Sequence, residues 1–164
     1  MIVPFHKAHV TDDEIATVVN LLKSGWLTMG KKTVEFEQQF KDYIGASHAV
    51  AVNSCTSALH LALQVIGLQE GDEVIIPTIT FVASVEVVCY FKARPILVDV
   101  HRDTHLLDEN KIEEKITDKT KVIMPVHFAG QACNMDKIME IARRHNLFVV
   151  EDAAHSLPAW YNNK

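Results

Sequence analysis

The sequence predicts an α/β fold with a mostly parallel sheet and crossover helices. From residue 48 onward, short apolar runs alternate with segments of helical periodicity, which is the pattern of consecutive β-α units. Each run is nearly all apolar, as expected for strands covered on both faces. The chain has 164 residues, 48% hydrophobic and 23% charged, which is typical of a folded globular protein. No linker composition is visible, so we expect one domain.

Two helices are predicted before the sheet. Thr11 and Glu14 form a capping-box pattern at a helix start. Apolar residues then follow at helical spacing, and Gly25 stands where a C-terminal cap is expected. A second helix is predicted over residues 34–44. The loop between them contains Trp26 and is a candidate contact surface.

Five strands and four helices are predicted in the remainder of the chain. The strands cover residues 48–52, 73–76, 95–98, 122–126 and 148–151. The helices cover residues 57–66, 82–91, 109–116 and 135–145. In an open parallel sheet, ligands bind outside the carboxyl ends of the strands. Polar residues at those ends are therefore the first candidates for a site.

Charge and cysteine content exclude several classes of protein. Sixteen Lys and Arg against twenty-one Asp and Glu give a net charge of −5 without long runs of either sign, which argues against nucleic acid or an anionic membrane as partner. Cys55, Cys89 and Cys133 are odd in number and widely spaced, so neither a disulfide framework nor a zinc ribbon is indicated. Residues 1–5 are too short for a signal peptide, and no apolar stretch approaches the roughly 18 residues of a membrane span. We expect a soluble, cytoplasmic protein.

Three segments at predicted strand ends could carry chemistry. Ser54, Cys55, Thr56 and Ser57 precede a helix, which suits either a phosphate site or a plain N-cap. The Phe81 ring could stack on a flat cofactor or belong to the core. Asp152 and His155 follow the last apolar run, where the carboxylate could pair with a cation or metal, or be a surface group.

Other motifs are missing or weak. No G-x-G-x-x-G follows the first predicted strand, and no G-x-x-x-x-G-K-[ST] occurs, so dinucleotide and Walker A sites are not indicated. His101 and His105 are four residues apart, but the Asp and Thr between them favour a turn over a metal site. We therefore assign no metal. His127 differs from the other histidines because it ends a predicted strand on the ligand side.

Taken together and in order, several motifs resemble a known family. They are Gly25-Trp26-Leu27-Thr28, Ser54-Cys55-Thr56-Ser57-Ala58-Leu59-His60, Gly71-Asp72-Glu73-Val74-Ile75, Thr80-Phe81-Val82, Pro125-Val126-His127 and Glu151-Asp152-Ala153-Ala154-His155. The chain resembles the amino-terminal part of the DegT/StrS family of sugar-nucleotide aminotransferases, most closely its 4-keto-sugar members. The resemblance implies residues 1–164 of an incomplete large domain of the type I, aspartate aminotransferase-like fold that binds pyridoxal 5'-phosphate (PLP).

The resemblance also implies a role for each cofactor contact. Cys55 and Thr56 would hold the cofactor phosphate, with Cys where many members have Gly or Ala. Phe81 would stack on the pyridine ring, and Asp152 would accept a hydrogen bond from the protonated ring nitrogen. His155, a Gln in many members, would lie beside the ring. The resemblance therefore implies that the candidate phosphate site binds the phosphate of PLP.

The implied reaction is transfer of an amino group from an amino acid, glutamate, to a nucleotide-linked keto sugar in polysaccharide or glycan biosynthesis. Trp26 and Thr28 would contact this substrate, and the full-length protein would be a homodimer. The family's Schiff-base lysine follows a further strand, so we expect it beyond Lys164 and assign no catalytic residue here. The 164-residue chain is then expected to be inactive. Two alternatives stay open, which are a non-catalytic binding or regulatory member and a sugar dehydratase with His in place of that lysine.

Overall fold

The computed structural model of the protein describes residues 8–162. The chain divides into two compact units, Met1–Ala51 and Val52–Lys164. No stretch rich in Pro, Gly or Ser marks this division, so the sequence does not predict it. The predictions for residues 1–5 and for Lys164 fall outside the described residues.

The first unit contains helices α1 (Asp12–Lys23) and α2 (Lys31–Ile44). The predicted capping box is confirmed, because the backbone N–H of Thr11 donates to the Glu14 carboxylate (2.6 Å). The Thr11 side chain and backbone hold the pKa of Glu14 below its ordinary value. Helix α2 ends at Gly45, whose φ of 68° suits a residue without a Cβ.

The strand predicted over residues 48–52 is not formed. Within the described residues, no neighbouring strand pairs with this segment. The N–H of Ala51 donates instead to Oε1 of Glu37 (2.8 Å), and Val50 is 78% exposed. An apolar run indicates that a segment can form a strand, but only a hydrogen-bonded neighbour makes it one. The prediction is wrong for this segment of the structure.

The second unit alternates helices and strands. Its helices are α3 (Cys55–Ile66), α4 (Val82–Cys89) and α5 (Met135–His145), and its strands are β1 (Glu73–Pro77), β2 (Arg94–Val98), β3 (Thr120–Ile123) and β4 (Phe148–Val149). Helix α5 has the predicted bounds, because its N-cap Asn134 accepts from the Lys137 N–H and Asn146 ends it in the left-handed conformation. In the described part of the chain, no helix has the length and apolar character needed to cross a membrane.

The prediction of a helix over residues 109–116 is wrong. Two short 3-10 turns, Glu109–Lys111 and Glu113–Lys115, take its place. The side chain of Asp108 caps the first turn by accepting from the Asn110 N–H (3.0 Å). Ile112 lies fully buried between the turns, and Glu109 in the first turn is engaged by His101 and Asn134, so tertiary contacts fix this segment.

The four strands form one parallel sheet in the order β2-β1-β3-β4. The predicted parallel sheet is confirmed, with four described strands where five were expected. Side chains alternate between its faces, so Ile75 joins one core cluster while Val74 and Ile76 join another. Helix α5 covers the first face, and α3 and α4 cover the second. All four carboxyl ends therefore meet at one open edge.

Candidate functional site

A cavity of about 370 Å³ opens at the carboxyl ends of the strands. The residues that line it come from the start of α3, the start of α4, and the segments that follow β3 and β4. The lining residues are Cys55, Thr56, Leu59, Thr80, Phe81, Ala83, Val126, His127, Phe128, Asp152, Ala154 and His155. All five cofactor contacts predicted from the sequence line this one cavity.

Asp152 is the buried carboxylate of the cavity, with 5% of the residue exposed. Its backbone continues the parallel pairing beyond β4, since its N–H donates to the Pro125 carbonyl (2.9 Å) and its carbonyl accepts from the His127 N–H (3.1 Å). The Ser84 hydroxyl lies 2.8 Å from Oδ2, and the Ala154 N–H lies 3.3 Å from Oδ1. Backbone and side chain are thus both held in place.

The start of α3 presents polar groups to the same cavity. The N-cap Ser54 accepts from the Ser57 N–H (3.1 Å), so the N-cap interpretation of this segment holds. In the described chain, the N–H groups of Cys55 and Thr56 have no hydrogen-bond acceptor. Free amides at a helix start attract anions. The segment is therefore an N-cap and also has donors available for a phosphate.

Cys55 connects the helix start to the buried carboxylate. Its Sγ lies 3.7 Å from Oδ1 of Asp152. Burial, followed by the charge of Asp152 and this contact, raises the pKa of the Cys55 thiol. The thiol therefore stays protonated at neutral pH and acts as a weak donor to Asp152.

Aromatic and imidazole rings form the outer wall of the cavity. Phe81 is the N-cap of α4 and is 73% exposed, so its ring is a cavity wall and not part of the core. His155 packs edge-on to Phe128, with ring centroids 6.3 Å apart. Gly130 permits a close approach of this loop, because a Cβ there would lie 3.0 Å from the His155 carbonyl oxygen.

His127 is buried beside Asp152 and forms two ring contacts. Nε2 lies 2.8 Å from Oε2 of Glu151, and the backbone N–H of Cys133 donates to Nδ1 (3.2 Å). The side chain of Cys133, followed by the Glu151 carboxylate, raises the pKa of His127 to about 9, while burial opposes the rise.

The predicted substrate contacts lie in the first unit. Trp26 and Thr28 line a separate cavity of about 600 Å³ between the end of α1 and the start of α2. The Trp26 indole N–H donates to the Met29 carbonyl (3.1 Å), and a Cβ at Gly30 would collide with the indole. The indole remains 61% exposed and so is available for contact.

Comparison with known proteins identifies the family. The model described as the DegT/DnrJ/EryC1/StrS aminotransferase family matches residues 8–164. The chain belongs to this family. It is 50% identical over 148 residues to the GDP-perosamine synthase of Caulobacter vibrioides, covering 90% of this chain and 40% of that protein. It is 43% identical over 161 residues to the spore coat polysaccharide biosynthesis protein SpsC of Bacillus subtilis, covering 98% and 41%.

A solved structure of another protein has the same fold. The PLP form of Spr1654 from Streptococcus pneumoniae superposes with a TM-score of 0.90 at 37% identity, covering 95% of this chain and 44% of that one. The predicted family and fold class are thereby confirmed. The chain spans about two fifths of the length of the curated relatives it matches.

Ser84 was not among the site residues predicted from the sequence. Ser84 is fully buried in the first turn of α4 and contacts both Asp152 and Thr80. A small polar residue three positions after Phe81 is the only local signal. Its partner Asp152 is 68 positions away, so the sequence does not indicate the contact.

His101 and His105 do not form a pair. His101 lies with Asp108 and Glu109 instead, with candidate ligand atoms within 4.8 Å of one another. Hydrogen bonds already engage these carboxylates, because Nε2 of His101 lies 2.8 Å from Glu109 and the Asn134 amide donates to Glu109 (2.9 Å). These contacts account for the cluster as packing of the loop after β2.

Proposed function

We propose that the protein uses PLP to transfer an amino group from glutamate to a nucleotide-linked keto sugar, in the biosynthesis of a polysaccharide or glycan. The observation that carries the proposal is the buried Asp152 carboxylate in a cavity that also has Phe81 and the free amides of α3. The names of two relatives support the substrate class, since one is a GDP-perosamine synthase and the other belongs to spore coat polysaccharide biosynthesis. The PLP form of Spr1654 supports the cofactor.

The residues of the cavity fit PLP at three points. The N–H groups of Cys55 and Thr56 are unsatisfied donors at a helix start and suit the phosphate. The exposed ring of Phe81 offers a flat apolar face. The buried carboxylate of Asp152 lines the cavity and is a suitable partner for a cationic group there, such as a protonated pyridine nitrogen. His155 lines the same cavity and is a candidate for contact with the ring edge.

Asp152 has the central chemical role in this proposal. Bound PLP supplies an electron-withdrawing ring that stabilises negative charge at the amino-bearing carbon. Asp152 keeps the proton on the ring nitrogen, because burial of the carboxylate strengthens its attraction for the charged ring. Cys55 and Thr56 would hold the phosphate, while Asp152 would hold the ring nitrogen and Phe81 would contact the ring.

The chain does not hold every group that the reaction needs within the described residues. Among residues 8–162, no lysine lines the cavity. We therefore propose that residues 1–164 form the amino-terminal part of the large domain and that the anchoring lysine belongs to another part of the full-length protein. The isolated chain is then inactive, and the active protein is a cytoplasmic homodimer.

The experiment is a transfer assay on the full-length protein. Purified protein is incubated with PLP, glutamate and a panel of nucleotide-linked keto sugars, and 2-oxoglutarate and amino sugar are measured together. Equal formation of both products supports the proposal. Loss of the sugar hydroxyl without transfer of nitrogen would indicate a dehydratase. Binding of the nucleotide sugar without PLP and without any product would indicate a binding or regulatory protein.

A further inference from the structure

A chain of two hydroxyl groups extends the site behind Asp152. Oγ of Ser84 lies 2.8 Å from Oδ2 of Asp152 and 2.6 Å from Oγ1 of Thr80. Ser84 is fully buried, and Asp152 is 5% exposed. Neither hydroxyl is needed to cap α4, whose N-cap makes no side-chain hydrogen bond.

The negative charge of Asp152 decides which hydroxyl group donates in each of these two hydrogen bonds. An ionised carboxylate can only accept hydrogen bonds, so the Ser84 hydroxyl donates to it. The Ser84 oxygen is then free to accept, and the Thr80 hydroxyl donates to it. The other carboxylate oxygen has separate donors, the Cys55 thiol and the Ala154 N–H. Ser84 is therefore the side-chain hydroxyl that fixes Oδ2.

The start of α4 also connects the two hydroxyl groups to Phe81, whose ring lines the cavity. Phe81 is the N-cap of α4, and Ser84 lies three residues later in the first turn. One helical turn thus presents an aromatic face to the cavity and holds the carboxylate beside it. A shift of this turn would move both groups together.

We propose that Ser84, supported by Thr80, is a positioning residue that holds Asp152 in register with the nitrogen of a ring stacked on Phe81. This inference rests on the proposed function, because it concerns the same cofactor. Hydrogen bonds to a charged group are short and directional, so loss of the Ser84 hydroxyl frees the carboxylate to rotate. Ser84 does not itself touch the cofactor in this account and acts through Asp152.

The test uses the full-length protein with Ser84→Ala, Ser84→Cys and Thr80→Val. We measure the dissociation constant for PLP, the absorbance spectrum of bound PLP against pH, kcat, and KM for the amino donor. We expect Ser84→Ala to weaken PLP binding and to lower kcat by about 10-fold to 100-fold, as expected for a hydrogen bond to a charged group, with KM unchanged. Ser84→Cys should restore part of the kcat and of the PLP affinity. Thr80→Val should lower kcat by only a few-fold.

A matched control separates positioning from stability. Thr117 donates its hydroxyl to another buried carboxylate, Glu73 (2.6 Å), at the amino ends of the strands. Thr117→Val should lower the urea midpoint without changing the PLP dissociation constant, the spectrum or kcat. If Ser84→Ala behaves like Thr117→Val, the positioning role is refuted.

A double-mutant cycle tests whether Ser84 acts through Asp152. In an Asp152→Asn background, Ser84→Ala should cause no further loss of kcat or PLP affinity. Independent, multiplying losses would overturn the inference. Failure of the unaltered protein to bind PLP would refute the proposed function instead, so the two failures are distinct.

Discussion

Replacement of Asp152 by Asn is the most direct perturbation of the site, because it removes one charge and keeps the shape of the side chain. Asp152 is 5% exposed and receives donors on both oxygens. In the variant, the amide oxygen can accept from the Ala154 N–H. The amide NH₂ can donate to the Ser84 oxygen, and Ser84 can turn its hydroxyl toward Thr80. The surrounding hydrogen bonds therefore survive, with the donor and acceptor exchanged in two of them.

The structure thus predicts unequal effects on stability and on activity. With its neighbours still paired, we expect Asp152→Asn to change the free energy of unfolding by no more than about 1 kcal/mol. Loss of a buried charge pair with the ring nitrogen costs about 2–5 kcal/mol. That energy corresponds to a fall in kcat of about 30-fold to 5,000-fold.

The assay compares kcat of the full-length protein with its urea-unfolding curve. Glu73→Gln is the matched control, since Glu73 is also a buried carboxylate with hydroxyl donors, and its neighbour is Arg94 (3.4 Å). It lies at the opposite ends of the strands, so it should lower stability and leave kcat unchanged. Full activity of Asp152→Asn, or equal losses of kcat in both variants, would refute the assignment.

Three further predictions concern assembly, labelling and pH. Light scattering of the full-length protein should give a homodimer, and a fully active monomer would contradict a partner near the Trp26 loop. Borohydride reduction of the 164-residue chain with PLP should label lysines weakly and at scattered positions, whereas one dominant site, at Lys164 or elsewhere, would show that the active site has been misplaced. Because the folded pKa of His127 is raised to about 9, the contribution of its protonation to the free energy of unfolding is fully present below about pH 6.5 and is lost as the pH rises through 9. An NMR titration should show Glu151→Gln lowering that pKa, and an unchanged midpoint would rule out Glu151 as a cause.

The sequence by itself determined the features that depend on neighbouring residues. Apolar spacing and capping residues define α5 with its observed bounds, since a helix is closed by hydrogen bonds between residues four apart. The apolar runs at β1, β2 and β3 likewise predict strands, of which β1 and β3 are mostly buried and β2 is partly exposed. Position after a predicted strand was also enough to select Asp152 and Phe81 as site candidates, whereas the strand predicted before the α3 start is not formed.

Only the tertiary structure decided the features that depend on distant partners. Residues 48–52 have the composition of a strand, but within the described chain no strand pairs with them. The Ser84 hydroxyl and the Cys55 thiol reach Asp152 across 68 and 97 positions, and no local pattern encodes such a contact. Residues 109–116, predicted as one helix, form two 3-10 turns on either side of the buried Ile112. Local periodicity records which conformations a segment favours, whereas strand pairing, core contacts and buried hydrogen bonds select among them only when the chain has folded.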